Sequence, residues 1–403
     1  MTPAQAVGLA VALSLGAAVS LGVARFSYGL LLPPMRADLG WSYTLAGAMN
    51  TANALGYLLG ALVTPRLMQR FGPAPLLVWG ALLASLFMGL SGFFTAAAPL
   101  LAQRLLAGVA SAFVFIAGGL LAARLGALQP ARGGLLIGLY YGGTGFGIVL
   151  SALLVPRVLD ATAHLPHGWA WAWWALAAAC LGATAALLWP ARRLAQLGLP
   201  GTAATGTAAQ GAWPDVPPPF RWRRLAPALA GYTLFGVGYI GYMTFVIALM
   251  REQGASAGAI TGFYALLGVA VVASSRIWAG LLDRARGGGA LALLNAGLAL
   301  ATLVPAFTAH AGALLASGLV FGAVFLSVVA STTALVRHNL PPAQWAQGIS
   351  AFTILFAAGQ IVGPTVVGWI ADGPGGLARG LVFSAVALAL GAVLAWRQRP
   401  LSA

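Results

Sequence analysis

The feature that most constrains this chain is a series of twelve apolar runs bounded by proline, glycine or charge. A helix of about 20 apolar residues spans the hydrocarbon core of a bilayer. Hydrophobic residues make up 60% of the chain and charged residues only 7%, as expected for such a protein. The sequence therefore predicts an all-α integral membrane protein. The predicted spans are residues 7–32, 42–64, 74–94, 98–124, 131–155, 169–189, 225–249, 256–282, 288–309, 311–337, 346–371 and 377–397.

The longest polar interval divides the spans into six and six. It predicts an N-terminal bundle over 1–189, a cytoplasmic linker over 190–224 and a C-terminal bundle over 225–403. With both termini in the cytoplasm, fourteen arginines fall on the cytoplasmic side and four on the other. This asymmetry indicates a multi-pass protein of a bacterial inner membrane. It also accounts for the net charge of +15 without a nucleic-acid partner.

The two predicted bundles resemble each other in sequence. A shift of 214 residues aligns "GVARFSYGLLLPPMRADLG", residues 22–40, with "GVGYIGYMTFVIALMREQG", residues 236–254. The alignment pairs Gly22 with Gly236, Tyr28 with Tyr242 and Gly40 with Gly254. Two parallel six-helix halves are typical of transporters whose substrate site lies between the halves near the midplane.

Several local motifs carry a family resemblance. They are "PRLMQRFGPA" at 65–74, "RLLAGVASA" at 104–112, "GLLDRARG" at 280–287 and "GQIVGPTVVGW" at 359–369. With the arginine–aromatic step at 25–26, they resemble the major facilitator superfamily over the whole chain, and in particular its YbfB/YjiJ-type branch. The glycine–proline pattern at 359–369 is similar to one described in antiporters.

The resemblance implies two pseudo-symmetric six-helix bundles, alternating access and a conformational latch in the loops after the second and eighth helices. The latch candidates are Arg70, Gly72, Asp283 and Arg284, together with Arg276 near Asp283. Small residues in spans permit close helix packing. The helix-packing candidates are Gly142, Gly147, Gly363, Pro364 and Gly368.

Three arginines, Arg25, Arg104 and Arg276, fall inside predicted spans. A charge in a span is costly and usually faces a cavity or a partner. Arg25 lies about 10 Å before the predicted end of its helix at Leu32, where two prolines follow. A structural role through snorkelling or bonds to free carbonyls is the alternative. The chain has six acidic residues, all in loops or at span ends. Arginines without a carboxylate suit an organic anion or a carbonyl-rich solute.

Polar and aromatic side chains around these arginines are the remaining candidates for the substrate site. The full predicted set is Arg25, Tyr28, Asn50, Asn53, Arg104, Tyr140, Tyr141, Tyr239, Tyr242, Tyr264, Phe352, Phe356 and Gln360. Four tryptophans, Trp169, Trp171, Trp173 and Trp174, are instead predicted to form an interfacial belt.

The sequence predicts a secondary transporter that acts as a monomer in the lipid bilayer and needs no cofactor. An exporter of drugs or other amphipaths and a non-transporting membrane sensor are the alternatives. We expect neither an enzyme nor a metal site, because no catalytic or ligating motif stands out. The single cysteine, Cys180, is predicted to be a small core residue.

Overall fold

The computed structural model describes residues 1–129, 132–196, 222–341 and 344–401, and these residues form helices and loops without a β-strand. A π-helical segment, Ala18–Val23, joins the first two helices into one span, and a bend at Trp278 separates α9 from α10. The helices are α1 (Pro3–Ala17), α2 (Tyr28–Leu39), α3 (Tyr43–Phe71), α4 (Pro73–Ser91), α5 (Ala97–Ala127), α6 (Gly133–Ala161), α7 (Gly168–Gln196), α8 (Ala226–Glu252), α9 (Ala257–Ile277), α10 (Ala279–Arg284), α11 (Gly289–Phe307), α12 (Ala311–Asn339), α13 (Trp345–Ala371) and α14 (Gly376–Trp396).

The helices confirm a multi-pass membrane architecture. Among the described residues, eleven segments are long and apolar enough to cross a membrane. The remaining predicted span, 42–64, corresponds to α3, which has 29 residues but contains Asn50 and Asn53. The predicted linker begins inside a helix, because α7 continues through Pro190 to Gln196. Residues 197–221 of that linker lie outside the described residues.

The predicted end of the first helix is wrong. Pro33 and Pro34 do not terminate it, and α2 continues to Leu39, where Gly40 closes it with a φ of 64°. Prolines are tolerated in membrane helices when other groups satisfy the freed carbonyls. Arg25 therefore lies fourteen residues before the end of α2 rather than seven. At 1.5 Å per residue this is about 21 Å, a much deeper position than expected.

Matching helix pairs pack in both halves of the molecule. In the first half α3 packs on α5, and α4 packs on α5 and α7. In the second half α9 packs on α12, and α11 packs on α12 and α14. The halves meet through two equivalent interfaces, α3 with α13 and α6 with α9. This pattern is a pseudo-two-fold arrangement of two six-span bundles.

One end of the bundle holds both chain termini, and we call it the terminal face. The opposite end holds Leu39, Glu252 and Ala371, and we call it the distal face. Among the described residues, all side-chain hydrogen bonds between the halves lie between mid-bundle and the distal face. The halves are therefore held together at the distal face.

Candidate functional site

The first span is interrupted at mid-bundle. In the π-helical segment and the turn after it, hydrogen bonds join residues five apart, from the amide of Ala24 to Val19 O (3.0 Å) and from that of Phe26 to Leu21 O (3.1 Å). Two carbonyls at the break accept side-chain donors, and that of Phe26 also accepts from the Gly29 amide at 3.3 Å. Ala24 O accepts from Arg104 Nη1 at 2.7 Å, and Phe26 O accepts from the Tyr264 hydroxyl at 2.6 Å. Discontinuous helices are typical of transporter binding sites.

Arg25 lies in this break and is only 3% exposed. Among the described residues, its Nε and Nη2 are buried without a hydrogen-bond partner. Its Cζ lies 5.8 Å from the ring centre of Tyr57, and it interacts electrostatically with Tyr57 and Tyr239. Arg25 is therefore a buried cation with free donors between aromatic residues of both halves.

Arg104 differs from Arg25 in having partners. Besides Ala24 O, it donates from Nη2 to Asn50 Oδ1 at 3.0 Å. Its Cζ lies 5.0 Å from the Tyr28 ring and 5.6 Å from the Trp173 ring. It is close enough to Arg25 for the two charges to repel. Arg104 thus braces the break and adds positive potential to the site.

This contact also corrects the predicted tryptophan belt. Trp169 and Trp173 are 2% and 1% exposed. Trp173 packs on the buried Arg104, whereas Trp169 donates to Asp38, an exposed residue near the end of α2. Trp171, at 47% exposed, is compatible with an interfacial position.

The two asparagines of α3 make different connections. Asn50 Nδ2 donates to the Thr244 hydroxyl of α8 at 2.7 Å and thereby links Arg104 to the second half. Asn53 Nδ2 donates to the backbone oxygen of Arg104 at 3.1 Å and so joins α3 to α5 within the first half.

Most of the candidate tyrosine hydroxyls bond to protein atoms. Tyr28 donates to Ala46 O at 2.9 Å, Tyr140 to Phe115 O at 2.9 Å and Tyr264 to Phe26 O. Tyr242 shares a 2.7 Å hydrogen bond with Ser317 and stacks on Phe321. Tyr141 is instead 37% exposed and packs edgewise on Tyr140.

On the second half, the candidates on α8 and α13 lie together. The Tyr239 hydroxyl donates to Gln360 Oε1, and the Tyr239 ring stacks on Phe356 with centroids 5.6 Å apart. Phe352 is 2% exposed and packs edgewise on Tyr232. Tyr239, Gln360 and Phe356 therefore form one continuous group, and Arg25 lies within electrostatic range of Tyr239.

Sequence reasoning missed Tyr57, Thr244 and Phe325 at this site. Tyr57 follows Asn50 by seven residues, which places both on one face of α3, and this spacing could have indicated it. Thr244 and Phe325 carry no comparable signal, because their roles arise from contacts between helices that are distant in sequence.

The contacts at the distal face were also missed. The Asp372 carboxylate accepts from the Tyr43 and Thr44 amides at 2.6 and 2.8 Å, and from the Thr44 hydroxyl at 2.6 Å. The Tyr43 hydroxyl donates to Glu252, and Arg36 Cζ lies 3.7 Å from the Tyr43 ring centre. These bonds join the start of α3 to the ends of α8 and α13.

The latch candidates lie at the terminal face. Gly72 joins α3 to α4 with a φ of 83°, a conformation that favours glycine. The side chains of Arg70, Arg276, Asp283 and Arg284 are exposed. Among the described residues, none of these four forms a salt bridge in this conformation.

Three of the four candidate packing glycines lie where a side chain would collide with backbone. A Cβ at Gly147, Gly363 or Gly368 would lie 2.2–2.5 Å from a carbonyl oxygen. The Pro364 carbonyl similarly faces Gly47, where a Cβ would approach it to 2.1 Å. Gly142 differs, since a Cβ there would meet Val272 at an ordinary 3.7 Å.

Two further expectations concern cysteine and metal. Cys180 is free and buried, as predicted for a core residue. In the described part of the chain, no three histidine, cysteine or acidic side chains lie close enough together to hold a metal ion.

Two six-span halves, an interrupted helix and a buried cation between the halves define a membrane transporter of the major facilitator type. The family model for the uncharacterised MFS-type transporter YbfB matches residues 17–396, and the chain belongs to this family. No curated protein sequence matches the chain.

Solved transporter structures share the fold. A bacterial homologue of the human lysosomal transporter Spinster, inward-facing and unoccupied, has a TM-score of 0.68 at 14% identity, over 98% of this chain and 97% of that one. The nucleoside transporter NupG has a TM-score of 0.69 at 15% identity, over 98% of this chain and 99% of that one. The human organic anion transporter MFSD10 has a TM-score of 0.60 at 16% identity, over 98% of this chain and 100% of that one. At such identities the similarity concerns the fold.

Proposed function

We propose that this protein is a secondary transporter that moves a small organic anion, or a carbonyl-rich solute with similar acceptors, and that Arg25 is its main substrate-binding group. The observation that carries the proposal is the unpaired Arg25 guanidinium, 3% exposed, in the break of the first span. Burying an unpaired charge costs about 2.5–3.5 kcal/mol on insertion scales. A ligand that accepts two parallel hydrogen bonds would offset this cost.

The charge distribution around Arg25 favours an anion over a cation. Five of the six acidic residues belong to the described chain, and each lies at or near the end of a helix. Arg25 and Arg104 therefore share a region without a carboxylate to neutralise them. Snorkelling is not available to Arg25, because it lies about 21 Å along the helix from the end of α2.

In an alternating-access cycle the distal and terminal faces would open in turn. The halves are held at the distal face by Asp372 and Tyr43, and opening of this face would require these bonds to break. The exposed latch residues at the terminal face would then be free to form contacts between the halves. The arginine asymmetry of the sequence makes the terminal face cytoplasmic, in a bacterial inner membrane. We expect a monomer, because one chain supplies both halves.

Ligand binding by the purified full-length protein tests the proposal. A panel of aromatic and aliphatic carboxylates, phosphates and sulfonates is screened by thermal shift, and each hit is then tested by counterflow in liposomes. We expect Arg25→Met to abolish the thermal shift and the counterflow. Arg25→Lys should retain weaker binding, because a lysine keeps the charge and loses the planar pair of donors.

Arg157→Gln is the matched control, since Arg157 is exposed near the distal end of α6. This variant should respond to the anions like the wild-type protein. An anion response that persists unchanged in Arg25→Met, or a panel without a single hit, would refute the proposal.

A further inference from the structure

The second half contains a group of nearly parallel aromatic rings beside Arg25. Neighbouring rings have centroids 4.8–5.6 Å apart and interplanar angles of 9–24°. They come from α8, α12 and α13, so three helices fix one common ring orientation. We call this group the aromatic shelf, and its members are Tyr232, Phe235, Tyr239, Phe325 and Phe356.

One ring of the shelf is positioned for a ligand. Phe235 is fully buried, whereas Phe356 is only partly buried. Tyr239 interacts with Arg25, and its hydroxyl is held by Gln360. Tyr239 is itself buried, at 2% exposure, so the Phe356 ring that stacks on it is the accessible part of the shelf next to these two residues.

The first half supplies a second aromatic wall. Tyr57 and Phe115 are partly buried and pack edgewise, with centroids 6.5 Å apart. Tyr57 lies within electrostatic range of both Arg25 and Tyr239, so the two walls belong to one region around Arg25. A planar group between Tyr57 and the shelf would contact aromatic carbon on both sides.

Most of the tyrosine hydroxyls in the predicted site set are already engaged, which disfavours a polyhydroxylated substrate. Those of Tyr28, Tyr140 and Tyr264 donate to backbone carbonyls, and that of Tyr239 donates to Gln360. A sugar-like molecule would have to compete with these bonds, whereas a flat apolar ring needs none of them.

We infer that the substrate is a planar aromatic carboxylate, with its carboxylate on Arg25 and its ring on the shelf at Phe356. This inference rests on the proposed function, because it assumes that Arg25 binds an anion. Offset stacking on parallel rings rewards a flat π-system over a saturated ring of equal size and charge.

Two matched acids test the inference on the purified full-length protein. The probes are 2-naphthoate and its saturated counterpart, decahydronaphthalene-2-carboxylate, with 2-naphthamide as the neutral control. We expect naphthoate to bind about three- to tenfold more tightly than the saturated acid, as one or two ring contacts would give. The neutral amide should bind weakly or not at all.

Two variants test which residue creates the preference for naphthoate over the saturated acid. Phe356→Leu should reduce the preference to less than about twofold while Arg25-dependent binding remains. Phe93→Leu is the matched control, because Phe93 is exposed and its ring packs on Trp174 of the first half, outside the shelf. It should keep the preference, and the unfolding temperature of each variant checks its fold.

The outcomes separate this inference from the proposed function. Equal affinity for the two acids, both lost in Arg25→Met, overturns the aromatic substrate and leaves the anion transporter standing. A naphthoate preference that survives in Phe356→Leu overturns the shelf as the binding surface. If no acid binds, the proposed function itself fails and this inference fails with it.

Discussion

The two buried arginines should respond oppositely to removal of their charge. Arg25 has no protein acceptor for two of its nitrogens, whereas Arg104 donates to Ala24 O and Asn50 Oδ1. Substitution by methionine keeps the length and apolar stem of each side chain. The ligand-free Arg25→Met protein should therefore be as stable as the wild-type protein or more stable, and Arg104→Met should be less stable.

The magnitude follows from the hydrogen bonds. Both side chains are almost fully buried, at 3% and 2% exposure, so the gain from removing a buried charge is similar in the two variants. This gain cancels when the stabilities of the two variants are compared with each other. What remains is the loss of two hydrogen bonds from a charged donor, about 1.5–3 kcal/mol each. The free energy of unfolding of Arg104→Met should thus be about 3–6 kcal/mol lower than that of Arg25→Met.

The assay is reversible unfolding of the purified protein in mixed micelles, followed by the fluorescence of its 13 tryptophans. It is performed without anions, since a bound ligand would stabilise the wild-type protein selectively. Equal destabilisation of the two variants, or greater destabilisation by Arg25→Met, would show that Arg25 has a structural partner. That result would remove the main argument for a ligand at Arg25.

Two further predictions concern the distal face and are tested by the distance between two spin labels. The labels are attached at Ala163 and Ala257, which are exposed on opposite halves. The buried native cysteine is first replaced by alanine. Gly47→Ala should lengthen the distance between the labels, because its Cβ would lie 2.1 Å from a carbonyl oxygen of α13 and such overpacking costs about 1–3 kcal/mol. Gly182→Ala, where a Cβ meets nothing within 4 Å, should leave the distance unchanged. Asp372→Asn should also lengthen it. Partial burial raises the pKa of Asp372, but hydrogen bonds from the start of α3 and a nearby arginine outweigh it and hold the pKa below that of an ordinary aspartate. The contact should therefore hold from pH 8 to 5 and weaken only in more acidic solution, where Asp372 becomes protonated. An opening near pH 6 would refute this assignment.

The spans were predictable because the hydrophobic pattern is local. Most predicted limits lie within a few residues of the observed helices, since a bilayer demands the same apolar length wherever the helix is placed. The least apolar span, α3, is also the one that carries Asn50 and contacts both the break and the second half. Its low hydropathy thus comes from polar residues on the face that makes these contacts, while its Leu59 and Leu62 side chains are exposed.

The break in the first span was not predictable from local sequence. The visible signal, two prolines at 33 and 34, lies inside α2, while the interruption falls at residues 18–27. The break depends on a donor for the freed carbonyl of Ala24, which comes from Arg104, and Tyr264 adds a second donor at Phe26; both side chains are far away in the chain. The burial of Trp173 depends on the same arginine.

The repeat explains why, among the described residues, the first span is interrupted in the first half and not in the second. Residues 25 and 239 occupy equivalent positions, and the pseudo-symmetry brings them into electrostatic contact at the interface. Yet α8 is unbroken from Ala226 to Glu252. Under the same shift of 214 residues, Arg104 corresponds to Gly318, which has no side chain to donate.

An unwound turn in α8 would leave carbonyls unpaired in the membrane, at a cost of several kcal/mol each. Arg104 and the break therefore form one unit: Arg104 satisfies a carbonyl that the unwinding exposes, and the unwinding presents Arg25 to the space between the halves. If Arg25 binds the substrate as proposed, Arg104 is a positioning residue for it, and loss of Arg104 should weaken anion binding through Arg25 as well as lower stability.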